Sequence, residues 1–361
     1  PMARPVVDGP STLRRFVLPG LFVAALFVVL WVRRPETAGG ERVVRLEGPT
    51  MGTRYHVTVV VPTDGPDEAA LKAAVDGALA EVNGAMSTYL PDSALSRFNR
   101  YTGEGPFDAP AGLIAVAAKA QTISEATGGA FDVTVGPLVR AWGFGPDKPG
   151  EAPDAAALVA LRQRVGWRLL SIDEGAGTLS KARPDLEIDL SAIAKGYGVD
   201  RAAAALADLG AERYLVEVGG EVVARGTNPD GQPWRLGIEK PALDGSGGVQ
   251  EVVALSDRAM ATSGDYRNFR EVDGQRVSHT IDPRTARPIT HGLASVSVVA
   301  DDCTTADAWA TALNVLGPEA GLAAATDRNL AALFIIRSPE GGGFTTHATP
   351  AFEALRAAPA Q

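Results

Sequence analysis

L-E-I-D-L-S-A-I-A-K-G-Y-G, residues 186–198, joins a strand pattern to a helix pattern. Leu186 to Leu190 alternates apolar and acidic residues, which predicts a short half-buried strand. Ser191 offers its hydroxyl as an N-cap, and a helix runs on to about Leu209, with Gly210 placed to stop it. Lys195 falls in the first helical turn, where the macrodipole disfavours a cation, so an anionic group is expected beside it. Gly196 and Gly198 each cost about 1 kcal/mol relative to alanine inside a helix, which makes sense where another backbone or a ligand comes close. An anion on the helix N-terminus, gripped by Lys195, accounts for this pattern. A plain strand–helix joint with a solvated lysine accounts for it equally well.

Outward from this joint the texture is mixed. Upstream, Tyr55 to Val61 alternates as a strand, and Leu71, Val75, Leu79, Val82 and Met86 recur at helical steps across Glu68–Met86. Met86 to Asn99 breaks that pattern as a loop with a short helical turn. Helices follow at 111–126 and 155–165, then strands at 167–172 and 178–181. Downstream, strands are expected at 214–218, 221–225, 234–238, 249–255, 260–263, 277–281, 294–299 and 330–336, with a helix over 306–316. Helices and strands alternate without βαβ regularity, which predicts an α+β fold of mixed antiparallel sheets and helices.

The 361 residues are 45% hydrophobic and 21% charged, ordinary for a globular protein, and the net charge of -9 with no basic run argues for no nucleic-acid partner. A single cysteine, Cys303, rules out an internal disulfide and a cysteine-based zinc site. Phe16 to Val32 is an uncharged, almost wholly apolar run of 17 residues flanked by Arg14, Arg15, Arg33 and Arg34. It reads as a transmembrane signal anchor, with a cleaved signal peptide as the alternative. The expected organisation is a cytoplasmic N-terminus at 1–15, a membrane span at 16–32, a linker at 33–42, a domain at 43–340 and a tail at 341–361. The domain would then lie on the periplasmic side of the inner (cytoplasmic) membrane, held by one pass; arginines on both flanks weaken the orientation argument.

Few residues suit chemistry. The histidines are His56, His279, His291 and His347, and no H-E-x-x-H, G-x-S-x-G or Walker loop occurs. Cys303 suits a buried structural thiol better than a nucleophile. In D-D-C-T-T-A-D-A-W-A-T-A-L, residues 301–313, Thr304 or Thr305 can cap a helix with Asp307 in its first turn. Asp307 and Thr311 share a face, and a carboxylate with a hydroxyl is hard-oxygen ligation that fits Mg²⁺ bridging to a phosphate. Alternatively Asp307 only helps cap the helix. His279, before the Asp282-Pro283 turn and on the same face as Ile281, is a candidate general base or a histidine bonded into a sheet edge. Asp132, after Gly128-Gly129, could meet a heterocycle edge or bond its own turn.

Several ordered motifs carry a resemblance: M-G-T at Met51, M-S-T-Y-L-P-D-S-A-L-S-R-F-N from Met86, G-G-A-F-D-V-T-V-G-P-L from Gly128 and D-L-S-A-I-A-K-G-Y from Asp189. So do V-E-V-G-G-E at Val216, A-T-S-G-D-Y-R-N-F at Ala261, S-H-T-I-D-P at Ser278 and A-D-A-W-A-T-A-L at Ala306. From about residue 43 to 335 the chain resembles the ApbE family of FAD:protein FMN transferases. The resemblance implies a T-fold-like catalytic domain and a Mg²⁺-dependent transfer of FMN from FAD to a threonine or serine hydroxyl of a partner protein. AMP would leave, and the acceptor would be a flavoprotein subunit of a membrane redox complex. By motif position, FAD contacts fall to Met51, Tyr89, Ala130, Phe131, Asp132, Asp189, Lys195 and Ile281. Metal contacts fall to the Ala192 carbonyl, Asp307 and Thr311, with His279 taking the hydroxyl proton. Some relatives have a further aspartate where this chain has Ala310, and many carry a lipid-attachment cysteine that it lacks. Two other activities fit the same motifs: hydrolysis of FAD to FMN and AMP, and non-catalytic FAD binding.

Overall fold

The computed structural model describes residues 40–103, 105–144, 152–241, 248–264, 269–272, 275–338 and 343–357. Its centre is one sheet of eight strands: β1 (Glu41–Thr50), β2 (Thr53–Pro62), β3 (Arg213–Val218), β4 (Glu221–Arg225), β5 (Arg258–Gly264), β6 (Leu293–Ala300), β7 (Ala331–Arg337) and β8 (Phe344–Ala348). Their spatial order follows their chain order. From β2 onward every neighbouring pair is antiparallel. The sheet is therefore a meander into which helices and small hairpins are inserted, consistent with the α+β expectation.

Four helices matter for the site: α1 (Glu68–Met86), α2 (Ala111–Ala126), α3 (Ala194–Asp208) and α4 (Cys303–Leu316). Leu71, Val75 and Leu79 of α1 pack with Val199, Ala202 and Leu206 of α3 and with Val57, Val59 and Val216 from the strands. Ala308, Ala312 and Leu313 of α4 join α2 and the β6 residues Val296 and Val298 in a second cluster. A hairpin of strands Trp234–Glu239 and Val249–Leu255 and the C-terminal helix Pro350–Ala357 enclose a third, around Met260, Leu333 and Phe352. Residues 344–357, expected to be tail, are thus an integral strand and helix, with Phe352 fully buried; too few apolar residues in sequence signalled it. The strand β1 likewise begins at Glu41, inside the expected linker.

The joint at 186–198 departs from its expectation. Leu186, Ile188 and Leu190 are buried in alternation at 0%, 1% and 0% exposure, yet no strand forms. The Asn99 side chain substitutes for a neighbouring strand: its Nδ2 donates to the Ile188 carbonyl, and its Oδ1 accepts from the Ile188 N–H, both at 2.9 Å. Asp189 N donates to the Val133 carbonyl at 2.7 Å. Ser191 does not cap the helix, which begins three residues later at Ala194 without a side-chain cap; its hydroxyl donates to Asp189 Oδ1 at 2.5 Å instead. Gly210 does end the helix, at φ +81°.

The expected membrane span at 16–32 lies outside the described residues, as does most of the linker. Among the described residues no helix is long and apolar enough to cross a membrane.

Candidate active site

The sheet's insertions enclose a cavity of about 1150 Å³. Its inner wall is made where α3 meets α4. The two helices approach so closely that a Cβ on Gly196 would stand 2.3 Å from the Cys303 carbonyl oxygen and 2.8 Å from Asp307 Cβ. Only glycine fits there. A Cβ on Gly198 would stand 3.1 Å from Met51 Sδ. These contacts account for both helix-weakening glycines. Asp200 of α3 locks the pair further, accepting from Cys303 N and Thr304 N at 2.8 Å each. The cap of α4 is Asp302, accepting from Thr305 N, rather than Thr304 or Thr305. Asp307 consequently sits in the second turn of α4 and accepts from Gly196 N, at the N-terminus of α3, at 2.9 Å. It caps the neighbouring helix, not its own.

Lys195 projects into this corner and meets Glu221, the first residue of β4, at 2.5 Å from Nζ to Oε1. Desolvation alone would lower the ammonium pKa, but the charges of Asp307 and then Glu221 outweigh it, and the group stays raised. Burial pushes the Glu221 carboxyl up to about 8; the Asp307 charge adds to the shift and Lys195 opposes it. Asp307 is also raised, by burial, against the pull of Lys195 and the Gly196 N–H. The anionic group expected beside Lys195 is therefore supplied by the protein itself. Glu221 closes the motif V-E-V-G-G-E, and an acid opening the apolar strand E-V-V-A was a signal that something buried must pair with it.

Ala192 and Thr311 line the same cavity beside Lys195 and Asp307. Ala310 does not line it; it is 1% exposed within the hydrophobic core. Among the described residues no three histidine, cysteine, aspartate or glutamate side chains converge as a metal cage. The donors present are a carboxylate, a hydroxyl and a carbonyl, a set that suits a hard cation retaining waters and completed by phosphate oxygens. Cys303 is fully buried and its thiol is pushed well up by burial, in keeping with a structural thiol.

The remaining candidates, Met51 excepted, line other parts of the cavity. Tyr89, at 71% exposure, lines it beside Ala130, Phe131, Asp132 and Asp189. Asp132 spends its oxygens on its own surroundings: Oδ1 accepts from Thr134 N and Oγ1, Oδ2 from Trp167 N. Burial still raises its pKa above the ordinary value against those three bonds. Asp189 likewise accepts from Ser191 N and Oγ. Both carboxylates brace the chain around them, Asp132 to Thr134 and Trp167 and Asp189 to Ser191. His279 and Ile281 line another part of the wall, with the His279 ring edge-on to Phe144 at 6.3 Å between centroids. The strand expected over 277–281 stops at Ser278 and resumes as the two-residue strand Ile281–Asp282, leaving His279 in a bend. Met51, at φ +47° in the turn between β1 and β2, does not line the cavity.

A cavity ending in a lysine, two buried acids and hard oxygen donors is the kind of site used to handle a phosphorylated ligand. Comparison with known proteins agrees. The ApbE family model matches residues 51–334. The chain is 46% identical over 311 residues to the FAD:protein FMN transferase of Vibrio cholerae, covering 86% of this chain and 92% of that protein. It is 42% identical over 346 residues to the enzyme of the same name from Haemophilus influenzae, covering 94% and 98%. The solved flavin transferase ApbE from Vibrio cholerae superposes with a TM-score of 0.80 at 45% identity, over 87% of this chain and 99% of that one. The apo form of Pseudomonas stutzeri flavinyl transferase ApbE gives 0.81 at 41% identity, over 89% and 99%. The chain belongs to the ApbE family.

Proposed function

We propose that this chain is an FAD:protein FMN transferase that moves the FMN half of FAD onto a threonine or serine hydroxyl of an acceptor protein. The observation that carries the reading is the convergence of Ala192, Lys195, Asp307 and Thr311 on one cavity wall, with His279 on the same cavity. The hydroxyl oxygen bonds to the FMN phosphorus as the bond to the AMP phosphate oxygen breaks. AMP leaves, and the flavin stays attached as a phosphoester. The hydroxyl proton passes to His279, an imidazole on the same cavity wall that can serve as general base. Lys195 offsets charge on the pyrophosphate, and the backbone of 130–132 and 189, with Tyr89 and Ile281, orients the dinucleotide. Asp307, Thr311 and the Ala192 carbonyl would hold Mg²⁺, which when bound supplies Lewis-acid stabilisation of the phosphate oxygens. We read Phe16–Val32 as a single-pass anchor in the inner membrane that places the domain on the periplasmic side, near acceptor subunits of membrane redox complexes.

The test is co-expression with such an acceptor subunit and mass spectrometry of the intact acceptor, expected to gain one FMN phosphoester. An unmodified acceptor together with rapid acceptor-independent AMP release would mean a hydrolase. An unmodified acceptor with FAD left intact would mean a binding protein. Protease accessibility in spheroplasts checks the topology; a domain protected there would overturn the anchored orientation.

A further inference from the structure

Glu221 contributes an ionisable group that the reaction sketched above does not use. The turn Gly219-Gly220, at φ +59° and +106°, delivers it as the first residue of β4. Its side chain is 3% exposed against 31% for Lys195. One carboxyl oxygen takes the lysine; the other, Oε2, is buried without a hydrogen-bond partner among the described residues, and the residue lines the cavity. For stability alone this is a poor arrangement. A buried lysine–carboxyl pair seldom outperforms apolar residues of equal volume, and an unpartnered buried carboxyl oxygen carries its own desolvation cost. What the arrangement does give is geometry. A lysine has four flexible side-chain torsions and, unpaired, would turn its head toward solvent. A carboxylate fixed by the start of a strand leaves the ammonium one place to be.

We propose that Glu221 is a positioning residue: it holds the Lys195 ammonium at the inner cavity wall, so that the cation is already in place when the pyrophosphate of FAD enters. The inference rests on the flavin-transferase reading of the same cavity. Preorganisation of this kind raises affinity by removing an ordering cost from the binding step. Glu221 acts through Lys195 and makes no demand on the reacting atoms.

The test is a double-mutant cycle read by quenching of FAD fluorescence, using the purified full chain in detergent with Mg²⁺. Glu221→Leu is expected to weaken FAD binding about tenfold, and Glu221→Gln, which keeps an acceptor oxygen for the ammonium, no more than about threefold. In a Lys195→Met background neither change should matter further, because the group being positioned is gone. FAD bound by Glu221→Leu as tightly as by wild type, or more tightly, overturns the proposal, since Glu221 would then only compete with the ligand for the lysine. An equal loss in both backgrounds overturns it too, because the role would be structural. If Glu221→Leu does not fold, Glu221→Gln alone carries the cycle, with a small loss expected in wild type and none beside Lys195→Met. Wild-type protein that fails to bind FAD would sink the functional reading itself, and the inference with it. Wild-type binding with an additive cycle sinks only the inference.

Discussion

The Lys195 corner of the cavity and the wall around Tyr89 are built from similar residues used in different ways. In the Lys195 corner, Lys195 and Asp307 come from two tightly packed helices and Glu221 from a strand start, and these buried groups are met by one another: Lys195 by Glu221, Asp307 by the Gly196 N–H. In the wall around Tyr89, the Asp132 and Asp189 carboxylates accept from nearby backbone and hydroxyl groups, Asp132 also from Trp167 N, and Tyr89 itself is exposed. The difference teaches where chemistry and recognition divide. Charges held in low dielectric act strongly on a developing transition state. Satisfied carboxylates hold shape and add little field.

Substitutions that remove charge in the Lys195 corner should therefore dwarf those around Tyr89. Asp307→Ala is expected to abolish transfer, a loss on the order of 10³-fold or more, and to weaken FAD binding in Mg²⁺; flavinylation at the wild-type rate would remove Asp307 from the site. His279→Ala should retain FAD yet transfer FMN roughly 10²- to 10³-fold more slowly. Lost FAD affinity in its place would make the histidine structural. Gly196→Ala tests the helix contact rather than the chemistry. Its Cβ has nowhere to go, so destabilisation of about 1–3 kcal/mol is expected, seen as a clear fall in Tm; an unchanged Tm would mean the helices can part.

The pH dependence of stability sharpens the same contrast. With the folded carboxyl of Glu221 raised to about 8, the native state keeps a proton that the unfolded chain has released above the ordinary carboxylate range. Its favourable contribution is thus full at low pH and lost as pH rises toward 8 in the metal-free protein. Glu221→Gln should flatten that decline in urea titrations run across the range. A decline identical to wild type would assign it elsewhere. The smallest effect is expected at Tyr89. Tyr89→Ala should weaken FAD binding only some 3- to 10-fold, roughly the worth of one aromatic contact, with urea midpoint unchanged because the ring is mostly exposed. A loss as large as that of Asp307→Ala would erase the division between the two regions.

Local pattern carried much of this protein. The apolar steps across Glu68–Met86 specify α1 to the residue, and the strand patterns at Glu221–Arg225 and Val249–Leu255 do the same. Each of these elements buries one face, and the periodicity of that face is written in the chain. The ordered motifs were legible for the same reason, since turns, caps and helix faces are short-range features. Other decisions needed distance in sequence. The 186–190 segment has a strand's alternation, but its would-be neighbour is the side chain of Asn99, so no ladder forms. Asp307 reads as a cap for its own helix, yet serves a helix 111 residues earlier. Gly196 is explained only by Cys303, and Lys195 only by Glu221. In sequence a buried charge and its partner are unrelated letters. Packing brings them to 2.5 Å, because a charge removed from water must be met by whatever the fold carries past it.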